Sequence, residues 1–228
     1  MNSPAKGSYN NMAKVTPSKT KEQERARGII AALKKLFPHA KMALTHESNW
    51  ELLVAVILSA QCTDKKVNEV TEKLFKKYRT LDDYVYAKPR EFERDIYSTG
   101  FYKNKTKHIL ATAKMLKEKF GGEVPCTMTE MLTLPGVARK TANVVLGNAY
   151  GIVEGIAVDT HVRRIARILG LTKSDNPTII ERDLMALIPK KDWLRATYLF
   201  IEYGRKYCPA KKHAHQNCPL RVFHASID

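Results

Sequence analysis

The chain has 228 residues, 44% of them hydrophobic, enough to bury a core as one large domain or as two lobes sharing a cleft without disulfide staples. Its 39 Lys and Arg against 23 Asp and Glu leave a formal charge of +16, which points to a polyanionic partner, nucleic acid ahead of an acidic membrane surface. No apolar run approaches the roughly 18 residues that span a bilayer, the N-terminus lacks the order of a secretory leader, and four scattered cysteines make no secreted disulfide framework. A membrane partner is therefore not expected, and an intracellular monomer is, in the cytoplasm and nucleoid if the source is bacterial.

Residues 1–21 read as a disordered basic tail, since Lys6, Lys14, Lys19 and Lys21 meet no acid before Glu22 and apolar content is sparse. From Glu22 the pattern is helical: Ile29, Ile30, Leu33, Leu36 and Phe37 recur at helical spacing until Pro38 stops them. Ser48-Asn49-Trp50-Glu51 has the form of a capping box opening the apolar run 52–58, a helix greasy on every side and so expected in a core. Further helices are predicted over 67–78, 89–97, 105–120, 128–134, 138–150, 160–169, 177–188 and 193–203. No useful strand alternation is present, so the fold class is all-α. Cys62, among apolar residues, and Cys126, after a proline, read as ordinary thiols.

Three stretches carry chemistry. Leu134-Pro135-Gly136-Val137-Ala138-Arg139-Lys140-Thr141-Ala142 reads as a helix end, a tight turn that needs glycine, and a second helix whose free N–H groups face outward, a backbone site for phosphate that reads no base. Asp159 precedes a helix with an apolar stripe of Val162, Ile165, Ile168 and Leu169, the position of an N-cap; Arg163, Arg164 and Arg167 fall off that stripe and are available to phosphate or to solvent. Cys208, His215, Cys218 and His224 close the chain with the spacing C-x6-H-x2-C-x5-H, four soft or borderline donors in one short basic segment.

LPGVARKTANVVLGNAYG followed by IAVDTHVRRIARILGL, with NWELLVAVILSAQCTD and TGFYKNKTKHI upstream, resembles the helix-hairpin-helix, Gly/Pro…Asp signature of the endonuclease III family of DNA glycosylases. The resemblance runs from about Glu22 to Phe223. One departure is Ala138, where the family hairpin carries a second glycine; alanine keeps its N–H, so phosphate binding by Gly136, Ala138 and Arg139 is still expected.

What the resemblance implies is a two-lobed helix-hairpin-helix fold gripping damaged double-stranded DNA in the cleft. One lobe spans 44–152; the other joins 22–43 to 153–228. It makes Lys140 the nucleophile, its amine kept neutral with help from Arg139, the positive helix start and desolvation, and Asp159 the carboxylate that steadies cationic charge on the sugar. It makes Gln61 the amide that fills the gap left by a flipped nucleotide, Phe101 a second wedge, and His161 a neighbour of the orphaned strand; taken singly these read as a helix-end polar residue, a core aromatic and a first-turn histidine. The implied activity is base-excision repair by a bifunctional glycosylase and AP lyase acting on oxidised pyrimidines. Set against it are a non-catalytic helix-hairpin-helix DNA-binding module, which has no use for Lys140 paired with Asp159, and a mismatch-specific glycosylase, whose relatives lack a lysine here.

The family loop holds a [4Fe-4S] cluster with four cysteines, whereas His215 and His224 stand at two of those positions. Two thiolates and two imidazoles suit tetrahedral zinc; a loop without metal ranks beside it, and the iron–sulfur cluster third.

Overall fold

The computed structural model describes residues 17–224, and among them there is no strand. Eleven α-helices follow in chain order: α1 (Pro17–Leu36), α2 (Asn49–Leu58), α3 (Asp64–Lys77), α4 (Leu81–Val85), α5 (Pro89–Ile96), α6 (Tyr102–Lys119), α7 (Met128–Met131), α8 (Arg139–Ala149), α9 (Thr160–Ile168), α10 (Pro177–Leu187) and α11 (Trp193–Lys206). The expected tail over 1–21 lies outside the described residues up to Thr16; beyond it the expectation is corrected, because α1 opens at Pro17, where a proline's fixed φ suits a first helical turn. No helix of the described residues is long and apolar enough to cross a membrane.

Hydrophobic residues gather in two clusters. The first surrounds α2, whose residues from Leu52 to Leu58 are all buried, and draws on α3, α4, α5, α6 and α8. Each fully buried Leu, Val or Ile contributes about 1.5–3 kcal/mol, so this helix alone accounts for much of the lobe's cohesion. Ser48 caps it by accepting from the Glu51 amide at 3.1 Å, while the Glu51 carboxylate accepts from the Glu47 amide at 2.6 Å, one residue earlier than a capping box requires. The second cluster joins α1, α9, α10 and α11 with Cys208, Cys218 and Leu220 of the closing loop. The stripe predicted on α9 is present, with Val162, Ile165 and Leu169 fully buried.

Helix α4 was not expected. Its Thr80 and Asp83 form a reciprocal capping box, and Tyr84 plugs an aromatic group with Trp50, Tyr78 and Phe92 at centroid distances of 5.1–5.8 Å. Five residues are too few to display a 3.6-residue period, so only the T-x-x-D cap was visible.

Polar ties cross between the clusters. Buried Glu181 on α10 accepts from Arg139 Nε and from Asn143 Nδ2 on α8, each at 2.8 Å. Gly155 makes room for this group: a Cβ there would lie 1.8 Å from a Glu181 oxygen. Arg205 on α11 meets Asp64 at the start of α3 at 2.7 Å.

Candidate active site and closing metal loop

A cavity of about 360 Å³ opens between the clusters, with Gln61 and Lys140 on one wall and Asp159, His161, Tyr198 and Arg205 on the other. Lys140 is the second residue of α8. The turn before it is built as its residues dictate: Gly136 has φ +77°, and a Cβ on it would stand 2.7 Å from the His108 side chain, so both backbone and space require glycine. Ala138 is the N-cap and offers no side-chain acceptor, which leaves the first-turn amides of α8 without a cap from their own chain. Such a start attracts an external anion.

Asp159 caps α9, its Oδ1 accepting from the Val162 amide at 2.7 Å. Among the described residues no other group bonds its carboxylate. His161, half-buried in the first turn, has its Nδ1 3.3 Å from Arg164, and burial holds its pKa below the ordinary histidine value, so the ring is neutral at neutral pH. The arginines do not behave alike. Arg139 is clamped by Glu181, Arg164 donates to the carbonyls of Gly204 and Cys208 at the end of α11, and Arg167 pairs with Asp175 at 2.6 Å. Arg164 is therefore not available to phosphate or solvent as expected, its guanidinium being committed to backbone carbonyls at the end of α11, while Arg163 is exposed.

Gln61 and Phe101 share a property that neither motif announced. Among the described residues they are the only non-glycine positions with positive φ, at +52° and +48°. A left-handed phenylalanine is sterically costly, and such strain concentrates where a side chain must be aimed. Phe101 is 61% exposed, which removes the core-aromatic reading. Beneath the two loops lies buried Lys105, whose ammonium donates to the carbonyls of Leu58 and Thr99 at 2.8 Å each, three residues before Gln61 and two before Phe101. Lys105→Met would leave both carbonyls unpaired, and a loss of about 1–3 kcal/mol in urea unfolding is expected; an unchanged midpoint would mean the ammonium does not hold these loops.

Sequence reasoning missed Lys105 and the α11 wall. Tyr198, Glu202 and Arg205 follow at i, i+4 and i+7, one face of the helix, and all border the cavity. That polar spacing was the available signal.

At the chain's end Cys208, His213, His215 and Cys218 converge, their donor atoms all within 4.8 Å of one another. The group differs from the expected ligand set in one residue: His213 stands among the converging donors and His224 does not. The fold of the loop explains the change, because the short helical turn at His215–Asn217 folds the segment back and brings His213 Nε2 to 3.5 Å from Cys218 Sγ. His224 instead packs its ring edge-on against His215, with centroids 5.2 Å apart. A four-iron cluster does not fit these residues, since it is held by four thiolates and the loop presents two. The remaining cysteines are elsewhere: Cys62 half-buried near the end of α2 and Cys126 exposed.

Residues 54–190 match the model of the HhH-GPD superfamily of base excision DNA repair proteins. The chain is 50% identical over 199 residues to an endonuclease III of Synechocystis sp., covering 87% of this chain and 91% of the relative. It is 47% identical over 186 residues to that of Bacillus subtilis, covering 81% and 84%. Among solved structures, a non-covalent endonuclease III–DNA complex superposes with a TM-score of 0.85 at 43% identity, covering 89% of this chain and 94% of that one. A trapped covalent endonuclease III–DNA intermediate with an estranged adenine gives the same score and identity. A thermostable thymine-DNA glycosylase, at TM-score 0.77 and 20% identity, shares the fold. With the hairpin, the inter-lobe cavity and matches over most of its length, the chain belongs to the endonuclease III family of DNA glycosylase/AP lyases within the HhH-GPD superfamily.

Proposed function

We propose that this chain removes oxidised pyrimidines from duplex DNA through a Schiff base on Lys140 and then nicks the strand by β-elimination. The observation that carries the reading is one cavity bordered by Lys140, Asp159 and Gln61 beside an uncapped helix start. The two hydrophobic clusters serve as the two lobes, 44–152 and 22–43 with 153–228, and the duplex lies across the cleft.

The hairpin amides at Gly136 and Ala138 hold phosphate without reading sequence, with Arg139 half-exposed beside them. Gln61 enters the space vacated by the extruded nucleotide and offers its amide to the orphaned base, while Phe101 wedges a neighbouring step and His161 borders the orphaned strand. The Lys140 amine attacks C1′, the glycosidic electron pair leaves with the base, and loss of the amine's protons with cleavage of the C1′–O4′ bond opens the sugar to an imine. Asp159 faces the positive charge that develops on the sugar. The resulting imine acidifies the C2′ proton; its removal expels the 3′ phosphate and breaks the strand. A non-catalytic binding module would need the hairpin but not this pair of residues on one cavity.

The Cys/His loop can bind a metal. Its two thiols and two imidazoles suit zinc, which would serve there as a structural ion and supply no step of the Lys140 chemistry. A DNA substrate places the work in the compartment that holds the chromosome.

The test is a duplex carrying a single oxidised pyrimidine: release of the free base with a nick on its 3′ side is expected, and an undamaged duplex should stay intact. Release without nicking would remove the lyase half of the reading. Binding to undamaged duplex should weaken steeply with salt, by about 0.9 in log–log slope for each neutralised phosphate. A flat dependence would contradict a phosphate-gripping hairpin.

A further inference from the structure

The donor atoms of the closing loop have the spacing of a single ion rather than of a cluster. Cys218 Sγ lies 3.5 Å from His213 Nε2, and His215 Nδ1 is 3.9 Å from both Cys208 Sγ and Cys218 Sγ. A tetrahedral ion with bonds of about 2.3 Å to sulfur and about 2.05 Å to nitrogen would set sulfur and nitrogen roughly 3.6 Å apart. In a Rieske-type [2Fe–2S] centre the two imidazoles sit on one iron and the two thiolates on the other. Here His215 is equidistant from both sulfurs, so the donors interleave and point at one centre.

Second partners fix the ligands. His213 Nδ1 lies 2.9 Å from the Lys211 carbonyl, so it is the donor there and leaves the Nε2 lone pair facing Cys218. The Cys208 amide donates to the Tyr203 carbonyl at 3.0 Å, and its own carbonyl accepts from Arg164 of α9. The loop is thereby tied to the helix that Asp159 caps. His224 packs edge-on against His215, and its Nε2 is buried with no hydrogen-bond partner among the described residues.

We propose that the loop binds one tetrahedral Zn²⁺ through Cys208, His213, His215 and Cys218, with His224 outside the ligand set. This deepens the zinc reading above and rests on it; it does not depend on the chemistry of Lys140. Zinc has no redox chemistry, so in this chain the loop is a structural clasp on the end of α11.

The experiment is elemental analysis and visible absorption of the full chain, of His213→Ala and of His224→Ala, each dialysed against a weak chelator. The wild type and His224→Ala should retain about one zinc per chain, and His213→Ala should lose it, its affinity falling by more than the roughly 100-fold that a residue orienting a ligand contributes. Cobalt(II) in the same site should give the intense colour of tetrahedral thiolate coordination in wild type and not in His213→Ala. Zinc kept by His213→Ala and lost by His224→Ala would overturn the ligand set. Iron with sulfide, or no metal together with unchanged melting after chelation, would overturn the site. Borohydride trapping of abasic DNA by the same proteins reports Lys140 alone and so scores the two readings separately.

Discussion

Replacing Lys140 with alanine is expected to abolish base release and strand nicking while the protein still folds and still grips duplex DNA. Lys140 stands one residue inside α8, half-buried, with its side chain bordering the cavity rather than packed in either hydrophobic cluster, so truncation removes no core contact. Loss of a covalent nucleophile commonly lowers turnover by about 10,000-fold or more, because no neighbouring group substitutes for it. Duplex affinity should fall by no more than about tenfold, the share of one cation among several phosphate contacts. Unchanged turnover in the variant would place the nucleophile elsewhere.

Asp159→Asn separates two roles that coincide in one side chain. The Oδ1 bond to the Val162 amide is a helix cap, and asparagine makes the same bond, so folding should change by less than about 1 kcal/mol. What asparagine lacks is negative charge toward the cavity, and removing one preorganised electrostatic partner typically slows chemistry by about 100- to 1,000-fold. The check is single-turnover base release beside thermal melting of the same preparation. A large drop in melting with normal turnover per folded molecule would reduce Asp159 to its cap.

The elements with long apolar periods were legible in the sequence because burial enforces a 3.6-residue rhythm, as in α1 and α9. Short α4 had no room for that rhythm. The hairpin was legible because its turn needs a glycine at Gly136 and its helix start leaves amides free. What stayed hidden depends on pairing across the chain. Lys105 looks like any exposed helical lysine until the carbonyls of Leu58 and Thr99 close over it. Arg139 reads as an unpaired cation until Glu181, 42 residues on, takes its Nε and leaves the rest of the guanidinium half-exposed beside the hairpin. The left-handed backbone at Gln61 and Phe101 leaves no mark in residue type, since neither is a residue that favours it. The donor that converges with Cys208, His215 and Cys218 was not legible because spacing alone does not show which way a loop folds back, and His213 and His224 are chemically the same.

Borohydride reduction of the wild-type chain on a duplex with one abasic site, followed by peptide mapping, tests the central claim most directly. The account predicts a stable protein–DNA adduct whose cross-linked residue is Lys140. Duplex binding without any adduct, or an adduct on another residue, would contradict it.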